Sequence, residues 1–206
     1  LIFGGYASGY PNSVVTQEYN SNIESGLVAA TFASGGSLSQ ARSGFASGGV
    51  QTAAFAAGGY VEPGTRLSST ELYNGTSWSP TGSLNTARNG NVGSGTQTAG
   101  LSFGGSNPPT PTAPTSTEEF NGSTWSNGNP SNTGASAAQM AGTQTASVKS
   151  GGSATPSLVN TEHYDGTSWT SVNNMNTGKN SASSAGTQTA AFVAAGRTDP
   201  STRVTT

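Results

Sequence analysis

Internal repetition constrains this chain more than any other feature. The run G-x-Q-T-A occurs four times, centred on Gln51, Gln97, Gln144 and Gln188, at separations of 46, 47 and 44 residues. A fixed period of this size marks an array in which one supersecondary unit is copied, because one unit alone cannot bury its apolar face. A small-apolar segment follows each glutamine and ends in glycine: TAAFAAGG (52–59), TAGLSFGG (98–105), TASVKSGG (145–152) and TAAFVAAG (189–196). The opening LIFGG (1–5) is the tail of one more. After a variable, proline-containing stretch comes a T-x-x-aromatic run: TQEY (16–19), TELY (70–73), TEEF (117–120) and TEHY (161–164). Three of these continue into NGTSW, NGSTW and DGTSW, which place Trp78, Trp125 and Trp169 after Tyr73, Phe120 and Tyr164. The first copy reads NSNIESG and has no tryptophan.

Each unit reads as short strands. Ala99, Leu101 and Phe103 alternate with Thr98, Gly100 and Ser102, a period of two. The glycine pair behind that strand suits a sharp exit with positive φ or a close backbone approach. Asn74-Gly75, Asn121-Gly122 and Asp165-Gly166 predict two-residue type I′ hairpins. In that register Tyr73 faces Thr76, Glu71 faces Trp78, and Tyr73 and Trp78 are diagonal neighbours on one face. The segment before each G-x-Q-T-A is rich in Gly, Ala and Ser and reads as another strand, set where space is short. About four strands and no helical pattern fill each period, which predicts an all-β fold of β-propeller type.

Composition narrows the function classes. Leu, Ile, Val and Phe supply only 28 of 206 residues, yet the net charge is −2, so the high charge that accompanies disorder is missing. Seven Lys+Arg against nine Asp+Glu leave no basic footprint for nucleic acid. With no cysteine and one histidine, thiolate metal sites, disulfides, thiol nucleophiles and multi-histidine centres are excluded. No apolar run approaches the ~18 residues of a membrane helix, so no membrane insertion is expected. No cofactor is implied.

The hydrophobic strand, glycine pair and spaced Tyr and Trp resemble kelch repeats over nearly the whole chain. The turn between Tyr73 and Trp78 is tighter than the usual kelch spacing. More narrowly, T-E-x-[YF]-[ND]-G-[ST]-[ST]-W followed by G-T-Q-T-A is similar to repeats of bacteriophage virion and tail-fibre-type proteins, marine phages especially. The resemblance implies a kelch-like β-propeller of about five four-stranded blades over residues 1–206, in approximate units 1–50, 51–96, 97–143, 144–187 and a partial 188–206. The alternative is an arc of a larger ring. It also implies a non-enzymatic virion module that binds a host cell-surface glycan or receptor, or other virion proteins. A homo-oligomer would add avidity. A bacterial surface or secreted adhesion module is the alternative, with a glycan-cleaving enzyme third. The copper-radical chemistry of some kelch propellers would need Cys and several His, which are missing.

Candidate sites divide into regular and irregular positions. Gln51, Gln97, Gln144 and Gln188 recur in register and predict a structural hydrogen bond, since a half-buried amide must be satisfied. Tyr73, Trp78, Phe120, Trp125, Tyr164 and Trp169 predict sheet packing. Glu71, Glu118 and Glu162, with Arg42, Arg88, Ala135 and Lys179 each nine residues before a repeat glutamine, suggest ion pairs between blades or bonds to strand backbone. His163 reads as an exposed sheet position. The irregular stretches between the glycine pair and the T-x-x-aromatic run would all leave one side of the ring, where a rigid scaffold displays binding residues. Within them Tyr6, Tyr10, Tyr60 and Arg66 are the candidate ligand contacts: aromatic faces stack on sugar rings, and Arg forks onto carboxylates.

Overall fold

The computed structural model describes residues 2–3, 16–20, 31–106, 114–154, 156–199 and 202–203. Among these the protein is all-β and contains no helix. Three four-stranded antiparallel sheets form its centre, each with its strands in simple sequence order, as meander connections dictate. Sheet II comprises β4 (Ala46–Val50), β5 (Ala53–Ala57), β8 (Thr70–Tyr73) and β9 (Trp78–Thr81). Sheet III comprises β10 (Asn89–Thr96), β11 (Ala99–Ser106), β12 (Thr117–Phe120) and β13 (Trp125–Gly128). Sheet IV comprises β14 (Gln139–Thr143), β15 (Ala146–Ser150), β16 (Thr161–Tyr164) and β17 (Trp169–Val172). They are flanked by three-stranded sheet I, β1 (Ile2–Phe3), β2 (Thr16–Asn20) and β3 (Thr31–Gly35), and by two-stranded sheet V, β18 (Ser183–Thr187) and β19 (Ala190–Ala194). Two small hairpins, β6 (Tyr60–Val61) with β7 (Thr65–Arg66) and β20 (Arg197–Asp199) with β21 (Thr202–Arg203), are bridged to the linkers at Ser43 and Asn180. Sheet I and sheet V share no strand.

The hairpins differ from the expected two-residue turns. Tyr73 lies directly opposite Trp78, Phe120 opposite Trp125 and Tyr164 opposite Trp169, so four residues form each connection. Glu71 accordingly faces Pro80, not Trp78. The reason lies in the first turn residue. Asn74 Oδ1 accepts from the N–H groups of Thr76 and Ser77, and the Asn74 N–H donates to the Ser77 carbonyl. A side chain that mimics a backbone turn thus stabilises the longer loop. Asn121 and Asp165 repeat the arrangement. Direct opposition stacks each aromatic pair, with ring centroids 5.0, 4.9 and 4.9 Å apart.

The strand before each G-x-Q-T-A is crowded, as its small residues predict. β10 packs against β4 on one side and β14 on the other, and β14 packs against β18. A Cβ on Gly93 would lie 2.8 Å from both the N and O of Ser47 in the next sheet. At one end these first strands are joined by backbone bonds: Gly90 N–H to Gly44 O (2.6 Å), Ala137 N–H to Gly90 O (2.7 Å) and Ser181 N–H to Ala137 O (2.9 Å). All four linked residues have positive φ, between 51° and 68°, including the non-glycine Ala137 and Ser181. The glycine pairs do what their position suggests. Gly104 and Gly105 have φ of 66° and 97°, and the Gly105 N–H reaches the Ala135 carbonyl of the following sheet at 2.9 Å.

Two apolar clusters fill the gaps between sheets. Phe55, Ala57, Leu84, Phe120 and Trp125 lie between II and III, and Leu101, Phe103, Met140, Tyr164 and Trp169 between III and IV.

Candidate functional site

Each recurring side chain binds the neighbouring sheet or locks its own. Trp78 Nε1 donates to Thr16 Oγ1 at 3.0 Å, Trp125 Nε1 to Thr70 Oγ1 and Trp169 Nε1 to Thr117 Oγ1, both at 2.9 Å. In every case the threonine opens the T-x-x-aromatic run of the preceding sheet. Gln97 Nε2 donates to the Ala54 and Tyr73 carbonyls, Gln144 to Gly100 and Phe120, and Gln188 to Ser147 and Tyr164. The amide therefore ties two strands of the preceding sheet. Gln51 occupies the same place in its repeat.

The hairpin aromatic and the residue it meets in the preceding sheet are matched. Tyr73 OH donates to Glu18 at 2.5 Å, and Tyr164 OH donates to Glu119. Phe120, with no hydroxyl, has Leu72 at the corresponding place, packed on its cluster. Burial and then the bond to Glu119 push the Tyr164 phenol well above its ordinary pKa.

The recurring carboxylates each pair with a cation of their own repeat, not with one of a neighbouring sheet. Arg42 pairs with Glu71 at 2.8 Å and Arg88 with Glu118 at 2.9 Å, all four side chains buried. Each guanidinium also donates to strand-end carbonyls, Gly58 and Ser69 for Arg42 and Gly104 for Arg88. In sheet IV the arginine position is Ala135, and the cation comes instead from Lys149, whose Nζ lies 2.7 Å from Glu162 and 2.7 Å from the Thr133 carbonyl. Lys149 stands five residues after its repeat glutamine, where the other sheets carry Ala56 and Ser102. Its ammonium sits 4.7 Å from the Phe103 ring centre. Burial lowers the pKa of Arg42, Arg88 and Lys149, and the facing carboxylates oppose that shift. Lys179 takes no part and donates to the Ala195 carbonyl.

The two ends of the sheets differ. The G-x-Q-T-A turn and the aromatic hairpin share one end, where a Cβ on Gly75 would be 3.5 Å from Thr52. The glycine pair, the β6–β7 hairpin and the described sheet-to-sheet linkers share the other. Tyr60 and Arg66 stand there on the β6–β7 hairpin, both half-buried. Tyr60 OH lies 3.4 Å from Glu62, and Arg66 Nε donates to Asn89 Oδ1 at 3.1 Å. At the same end a 390 Å³ cleft lies at the foot of the proline-rich connection, lined by Thr86, Arg88, Pro114, Ser116 and Asn127 among others. Tyr6 and Tyr10 lie outside the described residues. His163 is half-buried in β16, between Val148 and Thr170, not fully exposed. Among the described residues no group of His, Cys, Asp or Glu is placed to hold a metal ion.

The pairing of Tyr with Glu and Phe with Leu, and the substitution of Lys149 for an arginine, lie outside what motif spacing reveals. The signal for the first is a column-by-column comparison of adjacent repeats, in which position 72 and position 120 change together. No protein-family model matches the chain, and no curated protein matches it at a significant level.

Proposed function

We propose that the chain is a kelch-like β-propeller module of a virion or tail-fibre-type protein, and that it binds host-surface glycans or proteins without turning them over. One observation carries this reading. The recurring Trp, Tyr, Gln, Glu and Arg side chains are engaged in fixing the sheets, while the β6–β7 hairpin, one of the irregular connections, lies at the end away from the aromatic hairpins. Side-by-side first strands, with backbone bonds joining residues at their starts, fit a ring of blades around an axis. The same end offers an aromatic and a guanidinium on a short hairpin, and a cleft lined by Arg88, Ser116 and Asn127. Weak contacts of this kind gain strength when a fibre presents many copies.

Glycan-array binding tests the reading. Saturable binding without product, reduced at least tenfold by Tyr60→Ala with Arg66→Ala, supports it. Hydrolysis of a bound glycan would make the protein an enzyme. Copurification with intact particles supports a virion protein, and recovery from a bacterial cell surface would assign the adhesion reading instead.

A further inference from the structure

The chain holds four Asn-Gly pairs, at Asn74, Asn89, Asn121 and Asn127. In such a pair the following main-chain nitrogen can attack the side-chain amide carbon, because glycine has no Cβ to hinder it. The fold treats the four differently. Asn89 is half-buried, its Oδ1 is taken by Arg66 Nε, and the Gly90 N–H is committed to the Gly44 carbonyl at 2.6 Å. Asn127 is extended in β13, opposite Glu118, with its Oδ1 on Asn85 Nδ2 at 3.0 Å. Asn74 and Asn121 are exposed in the hairpin turns, and among the described residues neither the Gly75 nor the Gly122 N–H has an acceptor. Their Oδ1 atoms each receive two main-chain N–H groups, at 3.0 and 2.9 Å, while the hairpin makes no use of Nδ2.

The third hairpin shows what this cradle accepts. Asp165 occupies the same place, with its Oδ1 on the Thr167 and Ser168 N–H groups at 2.8 and 2.7 Å. Those bonds, the one from Ser168 foremost, hold its carboxyl below the usual range. The cradle therefore needs one oxygen and no amide nitrogen, and it favours negative charge on that oxygen.

We infer that Asn74 and Asn121 are sites of self-deamidation, which converts their hairpins to the carboxylate form that Asp165 already holds. Solvent hydroxide takes the Gly75 N–H proton, and the nitrogen attacks Asn74 Cγ. As the new C–N bond forms, the carbonyl electrons move onto Oδ1, where the Thr76 and Ser77 N–H groups face the developing charge. Collapse expels Nδ2, which takes a proton from water, leaves as ammonia and closes a succinimide. Water then adds at Cγ, breaks the bond to the Gly75 nitrogen and returns a proton to it, leaving an aspartic acid that ionises. Addition at the main-chain carbonyl instead gives isoaspartate, whose longer main chain displaces the pairing of Tyr73 with Trp78. Gly122 acts on Asn121 in the same way. Each event adds one negative charge at the end of the sheet that carries the aromatic hairpin.

The test is peptide mapping by mass spectrometry of the 206-residue protein, aged in heavy-oxygen water at mildly alkaline pH, folded and in urea. In the folded protein the label should enter at Asn74 and Asn121 at least about tenfold faster than at Asn89 and Asn127, a gap of the size that one or two committed hydrogen bonds produce. In urea the four sites should react at similar rates, since glycine follows each. Asn74→Asp with Asn121→Asp, which makes the product directly, should melt within roughly 4 °C of the parent. Labelling of Asn74 and Asn121 in the folded protein that is absent or no faster than at Asn89 and Asn127 would overturn the inference. So would the same order of rates persisting in urea, or a larger fall in melting temperature.

Discussion

Replacing Lys149 by serine makes sheet IV resemble sheet III on one side of its carboxylate while leaving it without a cation. Glu162 is fully buried, and Lys149 Nζ lies 2.7 Å from it. The remaining donors to Glu162 are the N–H groups of Asn132 and Thr133. Removing one partner of a buried ion pair costs about 3–5 kcal/mol, because the other charge stays desolvated. In a chain of this size each kcal/mol moves the melting temperature by roughly 2–4 °C, so a fall of roughly 6–20 °C is expected. The sequence also holds the remedy. Sheets II and III place arginine where sheet IV has Ala135. Adding Ala135→Arg to Lys149→Ser therefore restores the sheet III arrangement and should recover stability to within about 1 kcal/mol of the parent. Ala135→Arg alone sets two cations against one carboxylate and overfills a closed site, and should cost about 1–3 kcal/mol. The double-mutant coupling is then several kcal/mol, against a typical error of about 0.3–0.5 for independent sites. Urea unfolding of the four proteins reads it directly, as midpoint shifts at constant m. A coupling below about 1 kcal/mol, or a Lys149→Ser cost below about 1 kcal/mol, would refute the claim that one cation per sheet is required and that either position can supply it.

Other outcomes follow from the same contacts. Tyr164→Phe leaves Glu119 without its hydroxyl partner and should cost about 1–3 kcal/mol, whereas Tyr164→Phe with Glu119→Leu copies Phe120 and Leu72 and should be nearly neutral in chemical denaturation. The same phenol makes stability pH-dependent. Its folded pKa lies above the unfolded value of about 10, so its contribution is complete below pH ~10 and is lost as pH rises from there through the folded pKa. Alkaline melts of the parent should fall faster than those of the Tyr164→Phe, Glu119→Leu double variant. Gln144→Ala leaves the Gly100 and Phe120 carbonyls without their donor and should cost about 1–3 kcal/mol by urea midpoint. Gly93→Ala should be more damaging than its exposed counterparts, because the added methyl meets backbone on the adjoining strand, and thermal melts would show no loss if that approach were wrong.

The strands are legible because period-two alternation, glycine pairs and small-residue runs each report one local constraint, and all three hold at Ala99–Ser106 and Asn89–Thr96. Hairpin register is less legible. Asn-Gly signals a turn in both the two-residue and four-residue forms, and only the bonds from Thr76 and Ser77 to Asn74 decide between them. The charged positions stand out in the repeat, but their partnering between sheets does not hold, since spacing along the chain does not distinguish a clamp within a sheet from one between sheets. Lys149 escapes sequence reasoning for the opposite reason. It sits on β15, whereas the arginines whose role it takes lie in the linkers before β4 and β10, so no column of the repeat marks it. The ligand-contact candidates rest on loop irregularity alone, and of them Tyr60 and Arg66 share one hairpin at the end away from the aromatic hairpins.

Each hairpin indole fastens its sheet to the sheet before it. Solution NMR of protein labelled at tryptophan Nε1 tests this most directly. Slowly exchanging indole protons are expected for Trp125 and Trp169, with through-space contacts to the side chains of Thr70 and Thr117. Fast exchange with solvent, or contacts confined to residues of the same sheet, would contradict it.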